Sequence, residues 1–257
     1  MLMLSMLSSL SGCKVVDAPV DLESLMVYGF VNFDQDSDAY LRETADSLLP
    51  VINANYPALT GDGYRVNNLT RADLRSVGVN NDTEDIVGAM GLVDYTHKID
   101  PVVDAASRGD KDKMFPENFV EYEILSQSDR PCFLSHDCDT LDQKVHEVAD
   151  VAILKEAERT YESAYRRVET DTLGEVTFVR QLSPDPVEFS TNIANVFQQY
   201  SFVMLYGEKN HARRIEAFWV DAEFIGMDVP DVTAVNQAVK QMGEQAARID
   251  AWIDAQP

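Results

Sequence analysis

Hydrophobic positions along this chain repeat with two periods, and each marks its own elements. The clearest run is the last. Val232, Val235, Val239, Met242, Ala246, Ile249 and Ile253 recur every three or four residues after Pro230, the stripe of a long amphipathic helix. Tyr40, Leu41, Leu48, Leu49 and Ile52 form a second stripe behind a capping Asp36 or Ser37, with Pro50 and Pro57 expected to limit that helix. Thr70 and Asp73 have the spacing of a capping box, and Gly78 suits the end of the short helix they open. Pro101 opens a helical turn that runs to Ala106.

Strand signals fill much of the remainder. Residues 25–33 are almost wholly apolar and read as a strand buried on both faces. Ile86–Ile99, Phe119–Leu125, Glu175–Leu182, Tyr200–Tyr206 and Arg213–Ile225 are further strands, and residues 107–118 a loop or small helix. Residues 147–169 satisfy both periods. Ile153, Leu154, Ala157, Tyr161, Ala164, Tyr165 and Val168 fall at helical spacing, yet Thr160–Glu169 is placed to form a hairpin with Glu175–Leu182. The strand reading is taken for 159–169, for the family reason given below. The pattern predicts an α+β fold: an antiparallel sheet packed on a long C-terminal helix. The polar run Asn80–Asp85 divides an N-terminal α/β region, 25–85, from the larger unit, 86–257.

Composition narrows the function classes. At 45% hydrophobic, the 257-residue chain is too apolar for a disordered protein. Its 44 acids against 21 bases give a net charge of −23, which repels polyanions and argues against nucleic acid as a partner. No stretch reaches the roughly 18 consecutive apolar residues of a membrane-spanning helix.

The first twelve residues carry no charge and lead into Leu10-Ser11-Gly12-Cys13. These four residues resemble a bacterial lipobox: an aliphatic residue, a small one, Gly, then the Cys that is acylated. The resemblance implies a signal peptide over 1–12, Cys13 as a lipidated N-terminus and a tether over 13–24. Attachment through more than one acyl chain would hold the protein at a membrane. No Lys or Arg precedes the apolar stretch, a departure that a start further upstream would explain. Lys14, a residue other than Asp after the Cys, implies sorting to the outer membrane.

Two cysteines remain, Cys132 and Cys138, separated by five residues. Outside the cytoplasm such a pair favours a disulfide. His136 and Asp137 between them raise metal binding as the rival, but a structural zinc site needs four ligands and no second pair occurs.

From about residue 90 the order of elements is strand, Asp100-Pro101 helix, a loop with Phe115-Pro-Glu-Asn-Phe119, several antiparallel strands and a long last helix. This order resembles the START and polyketide-cyclase helix-grip superfamily, and Tyr95–Val103 is similar to its opening strand and first helix. The resemblance implies a curved sheet gripping the C-terminal helix around an apolar tunnel. Phe202, Met204, Tyr206, Phe218, Trp219, Val220 and Phe224 would then face the final helix and line the tunnel, with Met242 and Trp252 supplied by the helix. A filled core is the competing reading of the same residues.

No His-Glu-x-x-His, Gly-x-Ser-x-Gly, P-loop or dinucleotide-binding glycine pattern occurs, and no cofactor is implied. Acids are too numerous for any pair to be singled out as catalytic. Enzymatic activity therefore ranks third. The leading expectation is an outer-membrane-anchored lipoprotein that binds a hydrophobic ligand, lipid or polyketide-like. The alternative is a structural or protein-interaction lipoprotein with a filled core.

Overall fold

The computed structural model describes residues 17–61, 63–80, 83–84, 86–151, 155–191, 194–224 and 231–256. In chain order these form α1 (Leu22–Val31), α2 (Ala39–Thr60), β1 (Tyr64–Leu69), α3 (Arg71–Ser76), β2 (Ile86–Asp94), α4 (Ile99–Ala106), α5 (Lys111–Met114), β3 (Phe119–Gln127) and α6 (Arg130–Leu134). Then follow β4 (Thr140–Val151), β5 (Lys155–Thr170), β6 (Gly174–Ser183), β7 (Glu188–Phe189), β8 (Ala194–Glu208), β9 (His211–Phe224) and α7 (Asp231–Asp254). The expected α+β class is what the chain adopts. A single antiparallel sheet runs β1-β2-β9-β8-β6-β5-β4-β3, with β7 paired to β5, and a long C-terminal helix packs on it. Among the described residues no helix is long and apolar enough to cross a membrane.

The first apolar run is a helix, not the expected strand. Leu22, Leu25, Met26, Gly29 and Phe30 are its buried residues, which is helical spacing, and Asp21 caps it by accepting from the Ser24 N–H at 2.8 Å. Apolar residues between those positions blur the contrast that would have announced the helix. The second helix also departs from expectation. It continues through Pro50 and Pro57. An internal proline costs about 3 kcal/mol. Burying Leu41, Leu48, Ile52 and Leu59 returns roughly 1.5–3 kcal/mol for each side chain, so tertiary packing wins. The Thr70–Asp73 capping box is formed as expected.

Both faces of the sheet are covered. On the outer face lie α1 and α2, whose Leu25, Phe30, Leu41 and Leu48 pack in one core with Phe178, Phe202, Met204, Tyr206 and Trp219. On the inner face lie α4 and α7, where Val102, Val103, Met242, Ala246 and Ile249 pack with Tyr165, Val179, Val203 and Leu205. One glycine on each side sets how closely the helices approach. A Cβ on Gly29 of α1 would sit 2.4 Å from the Phe202 ring, and one on Gly91 of β2 would sit 2.8 Å from Val239 of α7. From β2 onward the order of elements is the one the helix-grip resemblance implies. The region 25–85 contributes the outer helical layer and, through β1, the edge strand beside β2.

The ambiguous stretch resolves as strand: β4 and β5 form a hairpin, and β5 pairs with β6 from Glu162↔Leu182 to Thr170↔Gly174. Cys132 and Cys138 are linked as a disulfide, with Cα atoms 5.3 Å apart. The loop they close holds His136, whose Nδ1 lies 3.0 Å from Glu175 and Nε2 3.5 Å from Asp100.

The inner face of α7 can be tested by paired substitutions. Met242 is buried and Gln241 exposed. Met242→Asp should cost at least the ~2–5 kcal/mol of truncating a buried Met, because it also buries an unpaired carboxylate. Gln241→Asp should stay within about 0.5 kcal/mol. Urea denaturation of both variants measures this, and equal small effects would mean that α7 does not pack as described.

Candidate functional site

Side chains of successive residues in a strand alternate between faces, so the sheet's register fixes what each face presents. Partners on the inner face form a band across four strands: Gln143, Ser163, Gln181 and Ser201, with Phe218 next on β9. On one side of the band is an apolar row of Leu141, Tyr165, Val179 and Val203. On the other side lie Val145 and Tyr161, then Ser183 and Gln199, with Glu147 opposite Arg159 toward the Val151↔Lys155 end of the β4–β5 hairpin. The inner face is thus amphipathic, changing from apolar to polar along the strands.

The polar groups are held in defined ways. Gln143 donates to the Ser107 carbonyl at 2.8 Å, tying the band to the end of α4. The Ser201 hydroxyl donates to Gln181 at 3.4 Å. Arg159 donates to Glu147 at 2.6 Å, and the Glu147 carboxylate is almost fully buried. Tyr122 and Tyr161 share a hydrogen bond between their hydroxyls at 3.2 Å. Burial pushes both phenols well above their ordinary pKa, so they stay protonated. On β9, Arg214 pairs with Glu216 and donates to Gln245 of α7 at 2.8 Å. Ser183 and Thr177 are buried, and their hydroxyls find no partner among the described residues.

Lys111, at the start of α5, reaches over this region with its ammonium 5.0 Å from the centre of the Tyr122 ring. Burial pushes its pKa down to about 8, Glu147 pulls the other way, and Arg214 and Arg159 add to the lowering. Among the described residues, no carboxylate lies at ion-pair distance from its nitrogen.

The residues expected to line a tunnel under the last helix do not share one face. Phe202, Met204, Tyr206 and Trp219 point outward, into the core formed with α1 and α2. Phe30 of α1 meets Trp219 at 5.3 Å, and Phe202 stacks on Phe178 at 5.6 Å. Their expected orientation toward the final helix is thereby corrected. The reason is the two-residue period, because Phe218 and Trp219 are neighbours in one strand and must diverge. Phe218, Met242 and Trp252 belong to the inner-side core, and Val220 has the same parity as Phe218. The side chain of Phe224, like Cys13, lies outside what is described.

Two other features invite attention. A cavity of about 370 Å³ opens on the outer face beside Asp34, Asp142, Lys144, Glu162, Arg180 and Leu182. Another of about 300 Å³ lies beside Phe33, Asp36, Thr140 and Arg166. Neither is lined by α7, and exposed charges of both signs dominate the first, as in a solvated groove. Asp100, His136 and Glu175 carry ligand atoms within 4.8 Å of one another, a spacing that fits a cation. Both imidazole nitrogens already face carboxylates, and Arg167 lies 3.4 Å from Glu175, so the ligand atoms of the trio are already engaged within the protein.

No family model matches the chain, and no curated protein matches it. Solved structures of similar chain path exist. A START superfamily protein from Mycobacterium smegmatis is 7% identical, with 65% of this chain and 97% of that one covered at a TM-score of 0.40. The Zhui aromatase/cyclase from Streptomyces sp. R1128 is 16% identical, covering 65% and 93%, also at 0.40. Human StAR-related lipid transfer protein 5 is 8% identical, covering 83% and 97%, at 0.42. At these values the likeness is one of general chain path.

The Glu147–Arg159 pair yields a sharp expectation. Arg159→Leu strands a buried carboxylate and should cost about 3–5 kcal/mol. The double change Glu147→Leu with Arg159→Leu should recover most of that loss. Thermal or urea unfolding of the three proteins reads the difference. A single variant as stable as the wild type would show that Glu147 is not held by this pair.

Proposed function

We propose that this chain binds an amphipathic, largely hydrophobic ligand on the inner face of its sheet, beneath α7. One observation carries the reading: the polar band Gln143–Ser163–Gln181–Ser201 crosses a face that helices cover. Each buried polar group left unpaired costs about 1–3 kcal/mol, and the Ser163 hydroxyl of this band has no partner among the described residues. Among the described residues the buried Ser183 hydroxyl has no partner and Lys111 no carboxylate at ion-pair distance, and both extend the band. A ligand with an apolar body and a polar end complements both halves of this wall. Leu141, Tyr165, Val179, Val203 and Phe218 suit the body, and the polar residues suit the end.

Attachment to the outer membrane through Cys13 belongs to the same proposal and is supported by Leu10-Ser11-Gly12-Cys13. A lipid anchor would hold the binding domain beside a store of hydrophobic molecules.

Two experiments test these halves separately. Native mass spectrometry of the protein purified from its host membrane should show an additional mass that organic solvent extracts. A ligand-free species that also fails to bind a fluorescent hydrophobic probe would favour the filled-core, interaction-protein reading. Growth with a labelled fatty acid should mark the wild type and not Cys13→Ser, and equal labelling would overturn the anchor.

A further inference from the structure

We infer that the polar end of the ligand is a carboxylate, seated against Lys111 and the Tyr122–Tyr161 hydroxyl pair. This inference rests on the ligand-binding reading above and names the class of molecule. It follows from the charges that converge on the inner face. Arg159 is matched by Glu147 at 2.6 Å, and Arg214 by Glu216. Lys111 is left over. The groups that face it are Tyr122 of β3, Glu147 of β4, Arg159 and Tyr161 of β5 and Arg214 of β9. The two acids among these pairs are already engaged by arginines. Lys98, Lys113, Lys144, Lys209 and Lys240 are exposed to water, whereas Lys111 is part-buried.

The neighbouring donors fit the same guest. Two phenol hydroxyls 3.2 Å apart use one proton between them, which leaves the other free to donate. A carboxylate could therefore accept from the ammonium with one oxygen and from a phenol with the other, both charge-assisted bonds. A single negative charge matches the single uncompensated cation. A neutral ester or alcohol would leave Lys111 as it is, and a cationic head would be repelled by Lys111, Arg159 and Arg214 together.

The test uses the full-length protein and three probes with the same hydrocarbon chain: hexadecanoic acid, its methyl ester and hexadecanol. Each is measured by displacement of a fluorescent hydrophobic probe. The wild type should bind the acid about tenfold or more tightly than the ester or the alcohol. Lys111→Met, which keeps an unbranched stem over Tyr122, should lose that preference, its affinity for the acid falling to that for the ester, and Lys111→Arg should keep it. Because Lys111 titrates at about 8, affinity for the acid should fall between pH 7 and pH 9.5 in the wild type and stay flat in Lys111→Met. Affinity for the ester should not change with pH in either protein. Equal affinity for acid and ester, or a preference that survives in Lys111→Met, overturns the carboxylate inference and leaves ligand binding standing. Failure to bind any of the three overturns the ligand reading and this inference with it.

Discussion

Where helices cover both faces of a sheet, polar residues have no side on which they simply meet water. Every strand in its middle must place an acceptable side chain on each face in turn, because the pleat alternates them without choice. The outer face meets this demand with aromatic bulk: Phe178, Phe202, Tyr206 and Trp219 fill the space under α1 and α2. The indole N–H of Trp219 donates to the Asn67 carbonyl of β1 at 2.9 Å, which ties the N-terminal region into the same core. Under α1 and α2 that face is packed to the point where Gly29 is needed to admit the helix.

The inner face meets the demand differently, and the contrast between the two is what points to function. Near α4 and α7 it is apolar, but toward the β4–β5 hairpin it carries a glutamine–serine band, an ion pair, a tyrosine pair and a lysine. Replacing a buried ion pair by apolar residues is often neutral or stabilising. Its presence here is consequently poorly explained by stability alone. A wall that is apolar at one end and hydrogen-bonding at the other matches a guest of the same polarity.

Much of the architecture was legible in the sequence because its signals were local. The stripe of α7, the capping box at Thr70 and the hairpin across Thr170–Gly174 each lie within a few residues of chain. The first helix was not legible. Val27 and Tyr28 lie between Met26 and Phe30, and Val31 follows, so the period of 3.6 is hidden in a continuous apolar run. The assignment of Phe202, Met204, Tyr206 and Trp219 to the inner side failed because composition cannot tell one face of a doubly covered sheet from the other. The polar site was missed for a different reason. Glu147 is one acid among 44, and nothing local distinguishes it. A usable signal did exist: a hairpin centred on residue 153 sets Glu147 opposite Arg159, a cross-strand pair of opposite charge. Lys111 carries no such mark, since its environment is assembled from β3, β4, β5 and β9.

The central claim is that the inner face, not the outer groove, receives the ligand. Site-resolved photo-crosslinking addresses it directly, with a long-chain fatty acid carrying a diazirine in its chain and tandem mass spectrometry of the labelled peptides. The account predicts adducts on Tyr161, Gln181 or Phe218, whose side chains share the inner face. Adducts confined to Lys144, Glu162, Arg180 or Leu182, which share the outer one, would contradict it.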